Sequence, residues 1–322
     1  NGTLAYSAEI DGRATPFDSE MQVWLSSFLP RVLREAGINV PARVARLRAR
    51  GGVPAVLDEI GEIRSTGAKR THYEELLKSA PLNPAEARTV IAQVGPDLGA
   101  SSGDLSSVLQ KMPRTAVRSS LARSALADAI ARIRSSGDMT NTLQALAPNA
   151  DTETLVMLAD VAEDIPSSGD KANFLMSTAS QYLTPNDHRL RTAFFRTAAT
   201  VVSDGDLSNV LISAMPYGHA SPAVTMEVIR TTEEIRSDGD ISNVLRSLAG
   251  QRLLADRTAA TVAVIDRTMT MRSSGDRANV LLVLVGHDLV STPAIRAAYG
   301  RAGAAIPSSG DRANVLAALA RQ

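Results

Sequence analysis

The sequence predicts an all-α fold: an α-α superhelix, or solenoid, of about seven and a half two-helix repeats of about 35 residues, preceded by a small N-terminal β-hairpin and a helical cap. Three observations carry this expectation. The phrase Ser-x-Gly-Asp recurs as Ser101-Ser102-Gly103-Asp104, Ser135-Ser136-Gly137-Asp138, Ser167-Ser168-Gly169-Asp170, Ser203-Asp204-Gly205-Asp206, Ser237-Asp238-Gly239-Asp240, Ser273-Ser274-Gly275-Asp276 and Ser308-Ser309-Gly310-Asp311, after a degenerate Ser65-Thr66-Gly67-Ala68. The glycines of the eight copies lie 32 to 36 residues apart. In most copies apolar residues then follow four, five and eight places after the Asp, as in Val280, Leu281 and Leu284, which makes one helical stripe. Finally, 44% of the 322 residues are hydrophobic but only 3% are aromatic and none is cysteine. Ala, Leu and Val suit slim, closely packed helices rather than one large core.

Residues 1–17 read as a hairpin or extended segment, because 4–10 alternates loosely and Asp11-Gly12 is a hairpin turn pair. Residues 18–64 read as a helical cap. A helix over 18–36 places Trp24, Leu25, Phe28, Leu29, Val32 and Leu33 on one face, and Pro30 is expected to kink or divide it. Two short helices, 41–50 and 53–64, follow, and the aromatics of this region are expected to cover the open end of the array. Residues 65–322 read as one continuous array.

Each repeat begins with a capping signal. The Ser oxygen accepts an orphan backbone N–H, while the Asp three residues on suits the helix dipole and is placed to reach back as in a capping box. Second helices are expected to start near Pro113-Arg114, Asn149 to Asp151, Thr184-Pro185-Asn186, Ser221-Pro222 and Ser291-Thr292-Pro293. They close on Ile133, Ile165, Val202, Ile235, Met271 and Ile306, placed to staple the next cap.

The elements Asp11-Gly12-Arg13, Pro16-Phe17-Asp18 and Trp24-Leu25, with the tandem capped helices, resemble the helical-repeat (HEAT-like) segment that follows the membrane part of bacterial beta-lactam-sensor-like membrane metallopeptidases. The resemblance covers nearly the whole chain. It implies an extracytoplasmic, periplasmic appendage of a larger membrane-attached protein, working by interaction. None of His72, His188, His219 and His287 begins the His-Glu-x-x-His signature of that family, so no protease activity carries over.

Several columns run through the repeats. The Asp column suits capping better than calcium, because neighbouring repeats are too far apart to share one ion and no loop has calcium-loop spacing. Asn141, Asn173, Asn209, Asn243, Asn279 and Asn314 form a second column. Either they are a partly buried structural ladder, or they line a groove that holds an extended peptide backbone. Their coupling to the following apolar pair favours the ladder. The residue after Asp alternates between cationic (Lys171, Arg277, Arg312) and aliphatic (Leu207, Ile241). These five are the candidate partner-binding row, against the plainer reading that they cover neighbouring loops. Arg43, Arg46, Arg48 and Arg50 read as a solvated helix face, with attraction to an anionic surface as the alternative.

No histidine pair has zinc spacing, and no nucleophile elbow or phosphate loop occurs, so neither a cofactor nor an enzymatic reaction is expected. The balance of 34 Lys+Arg against 34 Asp+Glu argues against general nucleic-acid binding. Apolar runs such as 280–285 are far shorter than the roughly 18–20 residues of a membrane span. Asn1 is not a methionine and no signal segment follows, so the chain is expected to be a processed or excised piece. The function expected is a non-enzymatic protein-binding or scaffold module. The alternative is a sensory or regulatory ligand-binding appendage of a larger bacterial protein.

Overall fold

Apart from one hairpin, the secondary structure is helical throughout a computed structural model that describes residues 7–321. The chain divides into two compact units, Asn1–Ile133 and Arg134–Gln322.

In the first unit, β1 (Ala8–Ile10) and β2 (Arg13–Thr15) pair antiparallel around Asp11 and Gly12, both at positive φ as a tight two-residue turn requires. Positions 4–6 of the expected strand lie outside the described residues. Helix α1 (Ser19–Glu35) is capped by Asp18, whose carboxylate accepts the Met21 N–H at 3.0 Å. Pro30 lies inside it and does not divide it. The helix buries no residue, so the carbonyl that Pro30 deprives of a donor can be solvated by water. Trp24 and Phe28 stack on each other at 4.6 Å, yet Trp24 remains 52% exposed, so the aromatics do not cover the array as expected.

Instead α1 docks through its last turn. Arg34 and Arg43, the latter from α2 (Val40–Gly61), both donate to Glu59 Oε1, at 3.0 and 2.6 Å. α2 is two helical segments, as expected, because Gly51 and Gly52 leave helical geometry between them. Then come α3 (Thr66–Ser79), α4 (Pro84–Leu98), α5 (Ser102–Leu109), α6 (Arg114–Val117) and α7 (Arg123–Ile130). The helix expected from Pro113 is thus split into α6 and α7.

The second unit alternates regularly. First helices are α8 (Ser136–Leu146), α10 (Ser168–Leu183), α12 (Asp204–Ala214), α14 (Asp238–Gly250), α16 (Ser274–Gly286) and α18 (Ser309–Ala320). Second helices are α9 (Thr152–Ala162), α11 (His188–Ala199), α13 (Pro222–Thr231), α15 (Thr258–Thr268) and α17 (Pro293–Ala304). Each first helix packs on the next first helix, and each second helix on the next second helix. The stripe residues Leu143, Leu175, Leu211, Leu245 and Leu281 are fully buried between them. Leu316 of α18 is 37% exposed, and among the described residues no later helix packs on it.

The serine caps form as expected. Ser101, Ser135, Ser167, Ser203, Ser237, Ser273 and Ser308 each accept the N–H of the Asp three residues on, at 3.2–3.4 Å. A complete reciprocal box forms at Asn83 and Glu86. At the later repeats the cap's own N–H goes elsewhere, to the second residue of the phrase one repeat earlier. Ser203 N–H donates to Ser168 Oγ (3.3 Å), Ser237 to Asp204 Oδ2 (2.8 Å), Ser273 to Asp238 Oδ2 (2.7 Å) and Ser308 to Ser274 Oγ (3.3 Å). The N–H groups of Val202, Arg236 and Arg272 join the same acceptors. In the first unit Glu35 does this work for the first repeat, accepting Arg64 N–H at 2.9 Å and Ser65 N–H at 3.2 Å.

Two further expectations shift by a residue or more. The residue that packs beneath each cap stands two places before the Ser, so Val201 (4% exposed) fills the site and Val202 (79%) faces solvent. Helix α11 is capped by Asp187 rather than by Thr184 or Asn186. The second-helix caps Asp151 and Thr292 lie within the expected starts.

Ser273→Ala is expected to cost about 0.5–2 kcal/mol in urea unfolding. Asp238→Ala, which strips the acceptor from two backbone donors, is expected to cost about 1–2 kcal/mol. Asp238→Ser, the residue used at this place in other repeats, should recover part of that loss. The Arg64 N–H holds the Glu35 carboxyl below its usual value of 4.5, against a smaller opposing effect of burial and with further help from Ser65 N–H, Arg64 and Arg34. The ionised Glu35 therefore stabilises the fold above about 4.5, and this contribution is lost as pH falls through the lowered folded value. Glu35→Gln should flatten that part of the acid-side decline in the urea midpoint between pH 5 and 3.

Candidate functional site

Of the five residues after Asp, three are buried and two, Arg277 and Arg312, are half-buried. Leu207 and Ile241 are 0% and 2% exposed, and Lys171 is 5% exposed. The Lys171 ammonium donates to the Glu163 carbonyl (2.8 Å), the Thr200 carbonyl (3.3 Å) and Thr200 Oγ1 (2.8 Å). Glu163 and Thr200 are the C-caps of α9 and α11, so one cation closes the carbonyl ends of two successive second helices. Burial pushes its pKa below the usual lysine value, opposed by the nearby charges of Glu163 and Asp164. Arg277 repeats the arrangement, donating to Met269 O at 3.1 Å and to Ala305 O at 3.3 Å, the C-caps of α15 and α17. Arg312 donates to Ile306 O at 3.1 Å. Where Ile241 leaves no cation, Arg267 from α15 donates to Thr232 O (2.8 Å) and Ile235 O (3.4 Å).

The arginine cluster of α2 is likewise engaged in part. Arg43 meets Glu59, while Arg48 donates to Ser79 Oγ (2.9 Å) and to carbonyls at the end of α3.

The asparagine column lies on the opposite side of the first helices. Asn141, Asn173, Asn209, Asn243, Asn279 and Asn314 are all exposed, and no hydrogen bond engages any of their side chains among the described residues. The expected buried ladder is therefore corrected to a solvent-facing row. Helix geometry explains both placements. At about 100° per residue, the position one after Asp points along the centre of the apolar stripe, whereas the Asn, three after Asp, points about 150° away from it. Helical phase in the sequence holds this signal, and reading it would have exchanged the two assignments.

Open grooves run between successive first helices on this outer side. The α8–α10 groove, about 510 Å³, is lined by Gly137, Thr140, Asn141, Gln144, Asp170 and Asn173, among others. The α12–α14 groove, about 490 Å³, is lined by Gly205, Ser208, Asn209, Asp240, Asn243 and Arg246, among others. A third, smaller groove has Arg246, Asn279 and His287 on its walls.

The glycines of the repeated phrase belong to the same face. They occupy the first helical turn, none at positive φ, and a Cβ added at Gly137, Gly205 or Gly275 would meet nothing within 4 Å. By contrast, a Cβ at Gly303 would meet Val315 at 3.0 Å. Neither backbone conformation nor packing inside the chain therefore accounts for glycine at these three positions. Glycine in a helix costs about 0.5–1 kcal/mol relative to alanine. Next to each glycine comes Asp, and two places after Asp stands a small residue: Thr140, Ala172, Ser208, Ser242 or Ala278, all buried. Among the described residues, the Ser242 hydroxyl has no hydrogen-bond partner. The outer face thus combines unobstructed backbone with free amides, each of which can donate and accept at once.

Among the described residues, no group of three or more His, Asp or Glu is gathered to hold a metal ion, and no helix is long and apolar enough to cross a membrane. His72 is fully buried, with Nδ1 2.8 Å from the Ala68 carbonyl and Nε2 unpartnered. Burial lowers its pKa despite that backbone contact.

Lys171→Met is expected to lower stability by about 1–3 kcal/mol, since it strips a buried donor from the carbonyl ends of two helices. Thermal and urea unfolding measure this. Compared with models of known protein families and with curated proteins, the chain matches none.

Proposed function

We propose that the chain is a solenoid of about seven and a half two-helix, HEAT-like repeats whose asparagine-bearing face holds an extended peptide segment of a partner protein. The carrying observation is the exposed Asn column, whose amides no group engages among the described residues, set beside Gly137, Gly205 and Gly275, where an added Cβ would meet nothing within 4 Å. An amide side chain can donate to a backbone carbonyl and accept from a backbone N–H of the same extended strand. Absent Cβ atoms leave that strand room to lie close to the helix starts. Successive packed helices are about 8–10 Å apart, so about three residues of extended chain would pass each repeat. The protein would act by binding, without catalysis, as a scaffold or as the interacting appendage of a larger assembly.

The expected outcome separates binding from folding. Gly205→Ala with Gly239→Ala should raise stability by about 0.4–1 kcal/mol per site in urea unfolding, because the chain loses unfolded-state entropy. The same pair should weaken binding of unstructured, fluorescein-labelled dodecapeptides, read by anisotropy. Asn209→Ala with Asn243→Ala should weaken it at least tenfold with no loss of stability. Unchanged binding in both pairs would overturn the reading.

A further inference from the structure

Resting on that reading of the asparagine face, we infer that the segment it takes is basic, with Lys or Arg at every third residue. Residues 134–246 carry 15 Asp and Glu against 8 Lys and Arg. At least five of those cations are already engaged, Arg134 among them. Lys171 is buried among carbonyls, Arg189 pairs with Asp187 and Glu153, Arg196 with Asp160 and Glu163, and Arg230 with Glu227.

The carboxylates of Asp170, Asp206 and Asp240 have no cationic partner among the described residues. Asp170 lines the α8–α10 groove with Asn141 and Asn173, and Asp240 lines the α12–α14 groove with Asn209 and Asn243. Asp206 lies between them in the series, with Oδ2 4.0 Å from where a Cβ on Gly169 would stand, so this carboxylate leans across to the preceding repeat. The repeats that begin with α10, α12 and α14 thus each offer one amide for the backbone and one carboxylate for a side chain.

The repeat distance sets the peptide's period. A polyproline-II strand has three residues per turn and rises about 3.1 Å per residue, so residues three apart point the same way about 9 Å apart. That matches the spacing of packed helices, and such a strand has no internal hydrogen bonds to compete with the asparagines. Arg246 ends the acidic run. It is exposed and lines both the α12–α14 groove and the next one. From 247 to 322 the balance reverses, with 5 Asp and Glu against 9 Lys and Arg. The basic segment is therefore assigned to the stretch from α8 to α14.

The test uses the full chain and three fluorescein-labelled dodecapeptides, (Pro-Ala-Lys)4, (Pro-Ala-Gln)4 and (Pro-Ala-Glu)4, read by anisotropy at low and moderate salt. The Lys peptide should bind at least tenfold more tightly than the Gln peptide, the Glu peptide more weakly than either, and the Lys preference should shrink as salt rises. Asp170→Asn, Asp206→Asn and Asp240→Asn combined should abolish the preference while leaving Gln-peptide affinity in place. Arg246→Gln should strengthen Lys-peptide binding. Equal affinity for Lys and Gln peptides, or a preference that survives the triple substitution, overturns the basic-segment inference but leaves the asparagine reading intact if Asn209→Ala with Asn243→Ala still weakens the Gln peptide. Failure of all three peptides to bind, or binding indifferent to the asparagine pair, overturns both.

Discussion

The second unit is organised by a hydrogen bond between repeats about 35 residues apart. The N-cap serine spends its side chain on its own helix, which leaves its backbone N–H to be satisfied by another group. The acceptor is the second residue of the preceding Ser-x-Gly-Asp phrase, Ser168, Asp204, Asp238 or Ser274. The N–H of the cap therefore gains its acceptor when the preceding repeat stands beside it in register. Glu35 offers the same kind of acceptor to Ser65, which lets the end of α1 act as the neighbour the first repeat lacks. Polar bonding and apolar burial point the same way here, since the leucines five places after Asp are covered only when successive first helices pack together.

Around that ladder each helical direction has its own task. The stripe buries Leu and Val. Along its centre, where Lys171 and Arg277 stand, a long cation can cross the layer and close two carbonyl ends, whereas Leu207 and Ile241 simply complete the packing. The outer direction carries Gly and Asn, and no hydrogen bond engages these Asn side chains among the described residues. Because the fold consumes the capping serines, the stripe and the central cations, the outer direction is where a function can act without competing against stability. That partition is why substitutions on the two sides are expected to move different observables.

Much of the fold was legible in the sequence. The period, the serine caps, the apolar stripe, the Asp11-Gly12 turn and the break at Gly51-Gly52 all come from contacts within a few residues. The candidate site was less so. Lys171, Arg277 and Arg312 look like exposed tips when grouped by charge, yet helical phase directs them inward, and their partners are carbonyls on other helices. The asparagines look like a ladder because they precede an apolar pair, yet the same phase turns them out. The inter-repeat acceptors left one trace: at that place the seven full copies carry only Ser or Asp, two residue types that can accept a hydrogen bond.

By itself the sequence determined which serines cap the first helix of each repeat and which face of those helices is apolar, because capping and amphipathicity act over three to eight residues and need no partner. Tertiary structure decided the rest. It chose Val201 over Val202 beneath a cap, sent the cap N–H to the previous repeat rather than to its own Asp, and let Lys171 and Arg277 each join a nearby helix end to one 28 or 29 residues away. Those outcomes depend on how closely and at what rotation one helix lies on the next, and residue spacing alone does not contain that angle.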